Sequence, residues 1–269
     1  MEKEQSVEVV NYNMNPNNKI IPETSHTITI AGQRLFYRII GAGKPLVLIH
    51  GHAASGATWH PVLPLLAQHY QVICVDLPGY GRSRFTGPWR LREIAPLLIR
   101  WLQQIELPPV ALIGHSMGGA IATHLAASAP RLVDRLILVD AAGLPLRTPL
   151  PNLASRSVRS FFQPGNGSYL PQELSDHLLT SPRILWQSAF EVATCDFRPE
   201  LASLTVPTLI IWGEHDLLLP TLGYELHKAL PHAKFVTIPQ CGHRPMLGQP
   251  TIFSQIVLRF LQQDTFPPP

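Results

Sequence analysis

Short apolar segments alternate along this chain with longer segments in which apolar residues recur at helical spacing. Six of the short segments are almost continuously apolar, which predicts strands buried on both faces: PLVLI, YQVICV, VALIG, LILVD, PTLIIW and AKFVTI. Segments such as LREIAPLLIRWLQQI and IFSQIVLRFLQQ predict amphipathic helices. Strands that alternate with helices predict an α/β fold, in which helices cover both faces of a parallel sheet.

The N-terminal part of the chain departs from this alternation. Residues 26–30 alternate between polar and apolar, residues 34–40 are β-rich, and the turn-like AGQ between them predicts an antiparallel hairpin. Together with the six buried strands, the hairpin predicts a mostly parallel, eight-stranded, doubly wound sheet. Residues 1–24 are polar and predict a loose N-terminal arm outside this sheet.

The alternation also stops between residues 143 and 204. Segments with helical spacing predict two to four helices there, so residues 143–204 are expected to form a helical cap between two parts of the core, residues 25–142 and 205–269. Two interpretations of the aromatic side chains of this insertion are open. They either form a small core within the cap or line a substrate pocket: Phe161, Phe162, Trp186 and Phe190.

Composition allows a large core and argues against several classes of partner. Of the 269 residues 45% are hydrophobic, and the net charge of +3 comes without a basic block, so no nucleic-acid partner is expected. The apolar runs are strand-sized, which predicts no membrane-spanning segment. A polar N-terminus without a secretory pattern and three scattered cysteines predict reduced thiols in a cytoplasmic protein.

The segment VALIGHSMGG places one serine between a predicted strand and a predicted helix. A serine hydroxyl is a poor nucleophile unless it is exposed to substrate and has a base within reach. Gly114 and Gly118 flank Ser116 at two residues' distance, where larger side chains would collide in a tight strand-to-helix turn. Ser116 is therefore the predicted nucleophile. The N–H of Met117, at the start of the helix, is predicted to stabilise the oxyanion.

Candidate acids and bases follow other predicted strands. Ligand sites in parallel sheets form at the carboxyl ends of the strands, where WGEHD puts Asp216 and QCGHRP puts His243. We expect His243 to act as the base and Asp216 as the acid, in the chain order Ser–Asp–His. Asp140 ends an earlier strand and is the rival acid. Asp216 is favoured over it because the turn that carries Asp216 directly follows a strand.

Other polar residues near these motifs are expected to have structural roles or none. His115 is expected to be a packing residue, and Asp76 to brace the PGYGRS loop that follows it. No pair of histidines has metal-ligand spacing together with a third partner, so no metal is expected. The glycine pairs do not fit a phosphate-binding loop, and no cofactor is expected.

Taken together, the motifs resemble the α/β-hydrolase superfamily over nearly the whole chain. The resemblance rests on LIHGHAASGATWHPVLPLLAQHYQVICVDLPGYGRS, GHSMGG, WGEHD and GHRP, in this order and spacing. It implies that His50 orders the loop around HG and that the backbone N–H of His52 is the second oxyanion donor. The His52 imidazole is expected to have no role, which we favour, or to line the pocket. One departure is Gly248, where many members carry a structural acid.

The predicted function is that of a serine hydrolase, which cleaves a small to medium, largely apolar carboxylic ester or thioester through an acyl-enzyme. Three alternatives use the same fold. The first is hydrolysis of a carbon–carbon bond in a 2-hydroxy-6-oxo-dienoate, with Arg244 as a cationic anchor for the substrate. The others are a cofactor-free haloperoxidase or perhydrolase, and a non-catalytic ligand receptor. The expected partner is a small acyl compound, and the protein is expected to be a monomer or a homodimer.

Overall fold

Nine strands form one sheet in the computed structural model, which describes residues 6–14, 20–146, 150–161, 163 and 170–263. The strands are β1 (Ser6–Met14), β2 (Ile20–Ile30), β3 (Gln33–Ile40), β4 (Lys44–Ile49), β5 (Tyr70–Val75), β6 (Val110–His115), β7 (Val133–Val139), β8 (Thr208–Gly213) and β9 (Lys234–Ile238). Their order across the sheet is β1-β2-β3-β5-β4-β6-β7-β8-β9. The strands from β5 to β9 in this order are parallel, and β1, β2 and β3 pair antiparallel. The predicted mostly parallel α/β sheet is thus confirmed.

The described part of the sheet has one strand more than the eight that the sequence predicts. The additional strand is β1, and the expectation of a loose arm over residues 1–24 is wrong for its described part. β1 pairs with β2 along its length, from the pair of Ser6 with Thr27 to the pair of Met14 with Ile20. The strand contains valine and tyrosine, which favour strands. Its apolar and polar residues alternate, but the alternation changes phase at Val9 and Val10, where the pairing with β2 shifts register between Glu8 and Asn11.

The hairpin between β2 and β3 agrees with the sequence prediction. The two strands pair up to Ile30 and Gln33, which leaves Ala31 and Gly32 as a two-residue turn. Both turn residues have positive φ, 48° for Ala31 and 77° for Gly32. Two positive φ angles are typical of the type I′ turn, whose twist matches that of the flanking strands.

Ten α-helices lie in the described part of the chain, and several of them cover the two faces of the sheet. They are α1 (Leu63–Leu66), α2 (Leu91–Gln104), α3 (Met117–Ser128), α4 (Leu150–Phe161), α5 (Leu170–Leu179), α6 (Pro182–Thr194), α7 (Arg198–Ser203), α8 (Leu222–Ala229), α9 (Pro245–Gly248) and α10 (Pro250–Leu261). Within the described ranges, no helix combines the length and the apolar character needed to cross a bilayer.

The sheet separates two apolar clusters because successive side chains of a strand point to opposite faces. Leu112 and Leu138 of the central strands β6 and β7 belong to the cluster that includes side chains of α2 and α3. Their chain neighbours Ile113 and Val139 belong to the other cluster, with side chains of α1 and α10. Burial on both faces explains why these strands are continuously apolar in sequence.

The predicted insertion contains four helices in its described part, α4 to α7, between β7 and β8. Two backbone hydrogen bonds close its base: Leu146 N–H donates to the Ala193 carbonyl at 2.9 Å, and Phe197 N–H donates to the Gly143 carbonyl at 2.8 Å. The last helix of the insertion, α7, packs against α3, and its residue Leu201 lies in the main core. The end of the segment expected to be a cap is therefore part of the core packing.

Replacement of Ile113 by alanine tests the central position of β6. Ile113 is 0% exposed, so Ile113→Ala removes three buried carbon atoms and leaves a cavity. We expect the free energy of unfolding to fall by about 3 kcal/mol, measured by denaturant titration. The control is Ile252→Ala on α10, where isoleucine is 38% exposed and a loss below about 1 kcal/mol is expected. Equal losses in the two variants would contradict this assignment of the core.

Candidate active site

Ser116 lies in a tight turn between β6 and α3, and its backbone is strained. Its φ is 53° and its ψ is −118°, a conformation that residues other than glycine rarely adopt. Three backbone hydrogen bonds hold this conformation. Ser116 N–H donates to the Val139 carbonyl at 3.0 Å, and the Ser116 carbonyl accepts from the N–H groups of Gly119 and Ala142, both at 2.9 Å.

The two glycines that flank the turn are sterically required. A Cβ atom on Gly114 would collide with the carbonyl oxygen of Gly118. A Cβ atom on Gly118 would lie 2.5 Å from the carbonyl oxygens of Ile49 and His50, at the end of the neighbouring strand β4. Larger side chains at both positions would collide with neighbouring backbone, as the sequence predicts for a tight turn.

The structure brings Ser116, His243 and Asp216 together at the carboxyl ends of the parallel strands. The distance from Ser116 Oγ to His243 Nε2 is 3.0 Å, and the distance from His243 Nδ1 to Asp216 Oδ2 is also 3.0 Å. All three residues are buried. An ionised carboxylate only accepts hydrogen bonds, so Nδ1 carries the hydrogen and Nε2 accepts from the serine hydroxyl.

Backbone N–H groups of the turn that carries Asp216 fix the orientation of its carboxylate. Its second oxygen, Oδ1, accepts from the N–H groups of Leu218 at 2.7 Å and Leu219 at 3.0 Å. Burial raises the pKa of Asp216, but the charge and hydrogen bond of His243 and these two N–H donors outweigh burial. The pKa of Asp216 therefore lies below its ordinary value of 3.8.

Asp140, the rival acid, ends β7 and lies beside this group. Its Oδ1 accepts from Gly213 N–H at 3.0 Å, and its backbone is strained with a φ of 40°. Burial, and then the negative charge of Asp216, raise the pKa of Asp140 well above 3.8. His243 Nδ1 donates its hydrogen bond to Asp216 and not to Asp140, which favours Asp216 as the acid.

Two acids and a histidine in a cluster are also a combination that can bind a metal ion. Ligand atoms of Asp140, Asp216 and His243 lie within 4.8 Å of one another. However, both oxygens of Asp216 and both ring nitrogens of His243 already have hydrogen-bond partners. A metal would have to break these bonds, so the arrangement fits a hydrogen-bonded acid and base better than a metal centre.

The HG turn after β4 lies directly against Ser116. A Cβ atom on Gly51 would be 3.2 Å from the Cβ atom of Ser116. His50 orders this turn: its Nε2 accepts from Leu77 N–H at 2.9 Å, so its Nδ1 carries the hydrogen and donates to the Gly51 carbonyl at 2.8 Å. Burial lowers the pKa of His50 to about 4, which keeps the ring neutral.

The two predicted oxyanion donors come from different elements. Met117 is the first residue of α3, so its N–H has no acceptor within the helix. His52 follows Gly51 in the HG turn. Its imidazole, for which the sequence favours no role over a place in the pocket lining, contacts the insertion: Nε2 lies 2.9 Å from the carbonyl oxygen of Leu185 in α6.

Two further polar side chains contact the loops that carry the acid and the base. His115 donates from Nε2 to the His243 carbonyl at 2.8 Å, and burial, then the charge of His243, lower its pKa well below 6.5. Gln163 of the insertion donates to the His215 carbonyl at 2.6 Å. His115 was expected only to pack. The contact of Gln163 could not be predicted from the sequence, because its acceptor is a backbone carbonyl, which every residue has.

Asp76 braces the loop after β5, as predicted. Its Oδ1 accepts from Gly56 N–H and its Oδ2 from Arg82 N–H, each at 2.8 Å. Its own carbonyl accepts from the Ser83 hydroxyl at 2.6 Å. The conformation of this loop therefore depends on the buried carboxylate of Asp76.

Two of the four predicted pocket aromatics, Trp186 and Phe190, lie on α6. Trp186 is 68% exposed and Phe190 is 44% exposed, and the rings stack on each other with centroids 5.9 Å apart. The buried residues of α6 are Ile184, Ser188, Val192 and Ala193, so the two rings are not part of a core within the insertion, and their place in a pocket stays a prediction. Phe162 and the side chain of Phe161 lie outside the described residues. Arg244 is half-buried beside His243, and its role as an anchor stays a prediction.

Known proteins resemble this chain over most of its length. The model of the alpha/beta hydrolase family matches residues 46–256. An uncharacterised protein of Mycobacterium tuberculosis is 31% identical, covering 95% of this chain and 86% of the relative. A pimeloyl-(acyl-carrier protein) methyl ester esterase of Yersinia enterocolitica is 30% identical, covering 86% of this chain and 99% of the relative.

A solved structure has a similar fold. A bacterial membrane phospholipase A superimposes with a TM-score of 0.78 at 25% identity, covering 89% of this chain and 86% of that chain. The family match spans β4 to α10 and includes the HG turn, the strained serine and both loops that carry the acid and the base. The chain therefore belongs to the alpha/beta hydrolase family.

Proposed function

We propose that the protein is a serine esterase in which Ser116 is the nucleophile, His243 the general base and Asp216 the acid. One observation carries the proposal: a continuous hydrogen-bonded line from Ser116 Oγ through both nitrogens of His243 to Asp216, with two distances of 3.0 Å. Such a line supplies the base and the orienting acid that a serine hydroxyl needs to attack a carbonyl carbon.

The proposed reaction begins when Ser116 Oγ attacks the ester carbonyl and His243 Nε2 accepts the hydroxyl proton. The imidazolium that forms is stabilised by the charge of Asp216. The backbone N–H groups of His52 and Met117 bind the oxyanion of the tetrahedral intermediate, and each contributes about 3 kcal/mol. His243 then gives its proton to the leaving alcohol, which departs and leaves the acyl group on Ser116.

Deacylation repeats these steps with water in place of the alcohol. His243 removes a proton from water, and the hydroxide attacks the acyl carbonyl. When the bond to Ser116 Oγ breaks, His243 returns the proton to Oγ and the carboxylic acid product leaves. Such a proton shuttle needs the correct tautomer of His243 in both halves of the reaction. The hydrogen bond from His243 Nδ1 to Asp216 keeps that tautomer in place.

Support for an ester as the cleaved bond comes from the relatives, one named a methyl ester esterase and one a phospholipase A. We propose a small to medium, largely apolar carboxylic ester or thioester as the substrate, as the sequence predicts. The methyl ester in the relative's name supports a small leaving alcohol. A cytoplasmic location and a monomeric or dimeric state stay predictions.

The two buried carboxyl groups beside His243 differ in how readily they ionise. The pKa of Asp216 lies below 3.8, whereas burial and the charge of Asp216 hold the pKa of Asp140 well above 3.8. Asp216, which contacts His243, is therefore the group that ionises first, and Asp140 keeps its proton to higher pH. This difference predicts that replacing Asp216 or Asp140 by asparagine has different effects.

Removal of the Ser116 hydroxyl tests the nucleophile. Ser116→Ala should lower kcat for p-nitrophenyl butyrate by about 10⁴-fold or more, because no other group in the proposed mechanism attacks the carbonyl. The control is Ser203→Ala on α7, an exposed serine whose hydroxyl bonds to the Glu200 carbonyl. We expect this control to keep wild-type activity.

The same assays separate the alternative functions. Ester turnover that survives Ser116→Ala would defeat the assignment. Loss of the absorbance of a 2-hydroxy-6-oxo-dienoate without ester turnover would favour carbon–carbon hydrolysis. Labelling of Ser116 by a fluorophosphonate, without turnover of any acyl substrate, would favour a ligand receptor.

The two acids are distinguished by matched amide variants. Asp216→Asn should lower kcat by about 10³- to 10⁴-fold, because an amide carries no charge to stabilise the imidazolium. Asp140→Asn should keep kcat within about threefold, because the bond to His243 is made by Asp216 and the amide oxygen of asparagine can still accept from Gly213 N–H. The reverse pattern, measured with p-nitrophenyl butyrate, would identify Asp140 as the acid.

Stability should depend on pH through Asp140. A raised pKa means that the folded protein holds a proton that the unfolded chain releases above about pH 3.8, so this residue lowers stability as pH rises. Asp140→Asn should therefore be more stable than wild type at pH 7, with little difference at pH 4. The gain can reach at most about 1.4 kcal/mol per pH unit, measured by denaturant unfolding. A stability difference between Asp140→Asn and wild type that shrinks from pH 4 to pH 7 would contradict the raised pKa of Asp140.

A further inference from the structure

The side chain of His52 joins the loop beside Ser116 to the inserted helix α6. Its Nε2 lies 2.9 Å from the carbonyl oxygen of Leu185, a residue 133 positions further along the chain. A carbonyl oxygen only accepts, so Nε2 carries the hydrogen and donates it. A backbone acceptor within a helix has a fixed position. The bond therefore fixes His52 relative to α6.

The segment from Gly51 to Ser55 is strained and needs such support. Ala53, the residue after His52, has a φ of 53°, a left-handed conformation that costs about 1 kcal/mol or more for a residue with a side chain. Strained backbone persists only where surrounding contacts hold it. The segment is also anchored at its end, where the Ser55 hydroxyl donates to Asp176 of α5 at 2.9 Å.

A second contact acts on the same ring. The rings of His52 and Tyr80 lie edge to face, with centroids 6.4 Å apart and planes at 73°. The hydroxyl of Tyr80 in turn lies 2.6 Å from Ser188 Oγ, one turn along α6 from Leu185. One turn of α6 thus contacts both the hydrogen-bonding nitrogen of His52 and the aromatic residue against which its ring packs.

We propose that the His52 side chain is a positioning residue for the oxyanion site: its hydrogen bond to the Leu185 carbonyl orients its own backbone N–H towards the oxyanion. The inference rests on the proposed function, in which that N–H is one of two oxyanion donors. It assigns to the imidazole a role other than the two that the sequence left open. It also makes α6, which contributes none of the three proposed catalytic side chains, a determinant of the rate.

Other hydrogen bonds attach α6 to the core without contacting the Gly51–Ser55 segment. Gln187 Oε1 accepts from Trp89 N–H at 3.2 Å, and Glu191 Oε2 accepts from Leu91 N–H at 3.1 Å. Loss of the Gln187 bond weakens the attachment of α6 and leaves the His52 bond in place. Gln187→Ala is therefore a control that separates attachment of the helix from orientation of the N–H.

Two variants of His52 separate its hydrogen bond from its ring contact. His52→Phe keeps a ring against Tyr80 and loses the donor, and His52→Gln keeps an N–H donor and loses the ring. We expect His52→Phe to lower kcat for p-nitrophenyl butyrate by about 10- to 100-fold with KM changed less than about threefold. His52→Gln should recover most of this loss, and Gln187→Ala should retain wild-type kcat.

A second readout is the rate at which a fluorophosphonate labels Ser116, because the phosphoryl oxygen of this probe also develops charge next to the serine. The labelling rate constant should fall in His52→Phe by a similar factor and recover in His52→Gln. His52→Ala gives the same test if the phenylalanine variant does not fold, as judged by its thermal unfolding midpoint.

Three results would overturn the inference: equal kcat in His52→Phe and wild type, equal loss in His52→Phe and His52→Gln, or the same loss in Gln187→Ala. Failure of the proposed function gives a different result. In that case the wild-type protein shows no Ser116-dependent ester turnover, while the labelling rates of the four variants still decide the role of His52.

Discussion

The left-handed backbone of Ser116 is the constraint on which the site depends. It directs the side chain out of the turn, towards His243, and starts α3 directly after the proposed nucleophile. The strain costs about 1 to 3 kcal/mol and is held by hydrogen bonds to three different residues, Val139, Gly119 and Ala142. Val139 is the last residue of β7, and Ala142 lies in the segment that follows β7. The conformation of the serine is therefore fixed by the neighbouring strand as well as by its own helix.

The same type of bond recurs at the end of each following strand. Beyond the serine, Asp140 N–H donates to Ile211 of β8 at 3.0 Å. Glu214 N–H donates to Ile238 of β9, also at 3.0 Å. The strands β6, β7 and β8 thus each extend their pairing by one residue beyond the regular ladder, at Ser116, Asp140 and Glu214. Strand register therefore fixes the positions of Ser116 and Asp140, whereas Asp216 and His243 lie on the loops that follow β8 and β9 at the same edge of the sheet.

Much of this arrangement was predictable because it depends on local sequence rules. Strands buried on both faces must be apolar throughout, and a strained turn that approaches neighbouring backbone must have glycine at Gly114 and Gly118. β1 was missed because its alternation of apolar and polar residues changes phase within the strand, where the pairing with β2 shifts register. The orientation of Trp186 and Phe190 on α6 was open for a different reason. Helical spacing places residues four apart on one face, but it does not say which face of the helix meets the core.

The contacts that no sequence rule could predict are those with a backbone carbonyl as acceptor. Any residue carries a carbonyl, so the bonds from His52 to Leu185 and from His115 to His243 leave no mark on the residue that accepts. These bonds matter because the proposed oxyanion donors come from different elements. The N–H of Met117 is set by the turn at Ser116 and belongs to the core, whereas that of His52 lies in a strained segment in contact with α6. Both proposed donors are core residues, but the role proposed for the His52 side chain makes one of them depend on α6. The inference therefore implies that sequence changes in the insertion alter the rate while the three proposed catalytic side chains stay unchanged.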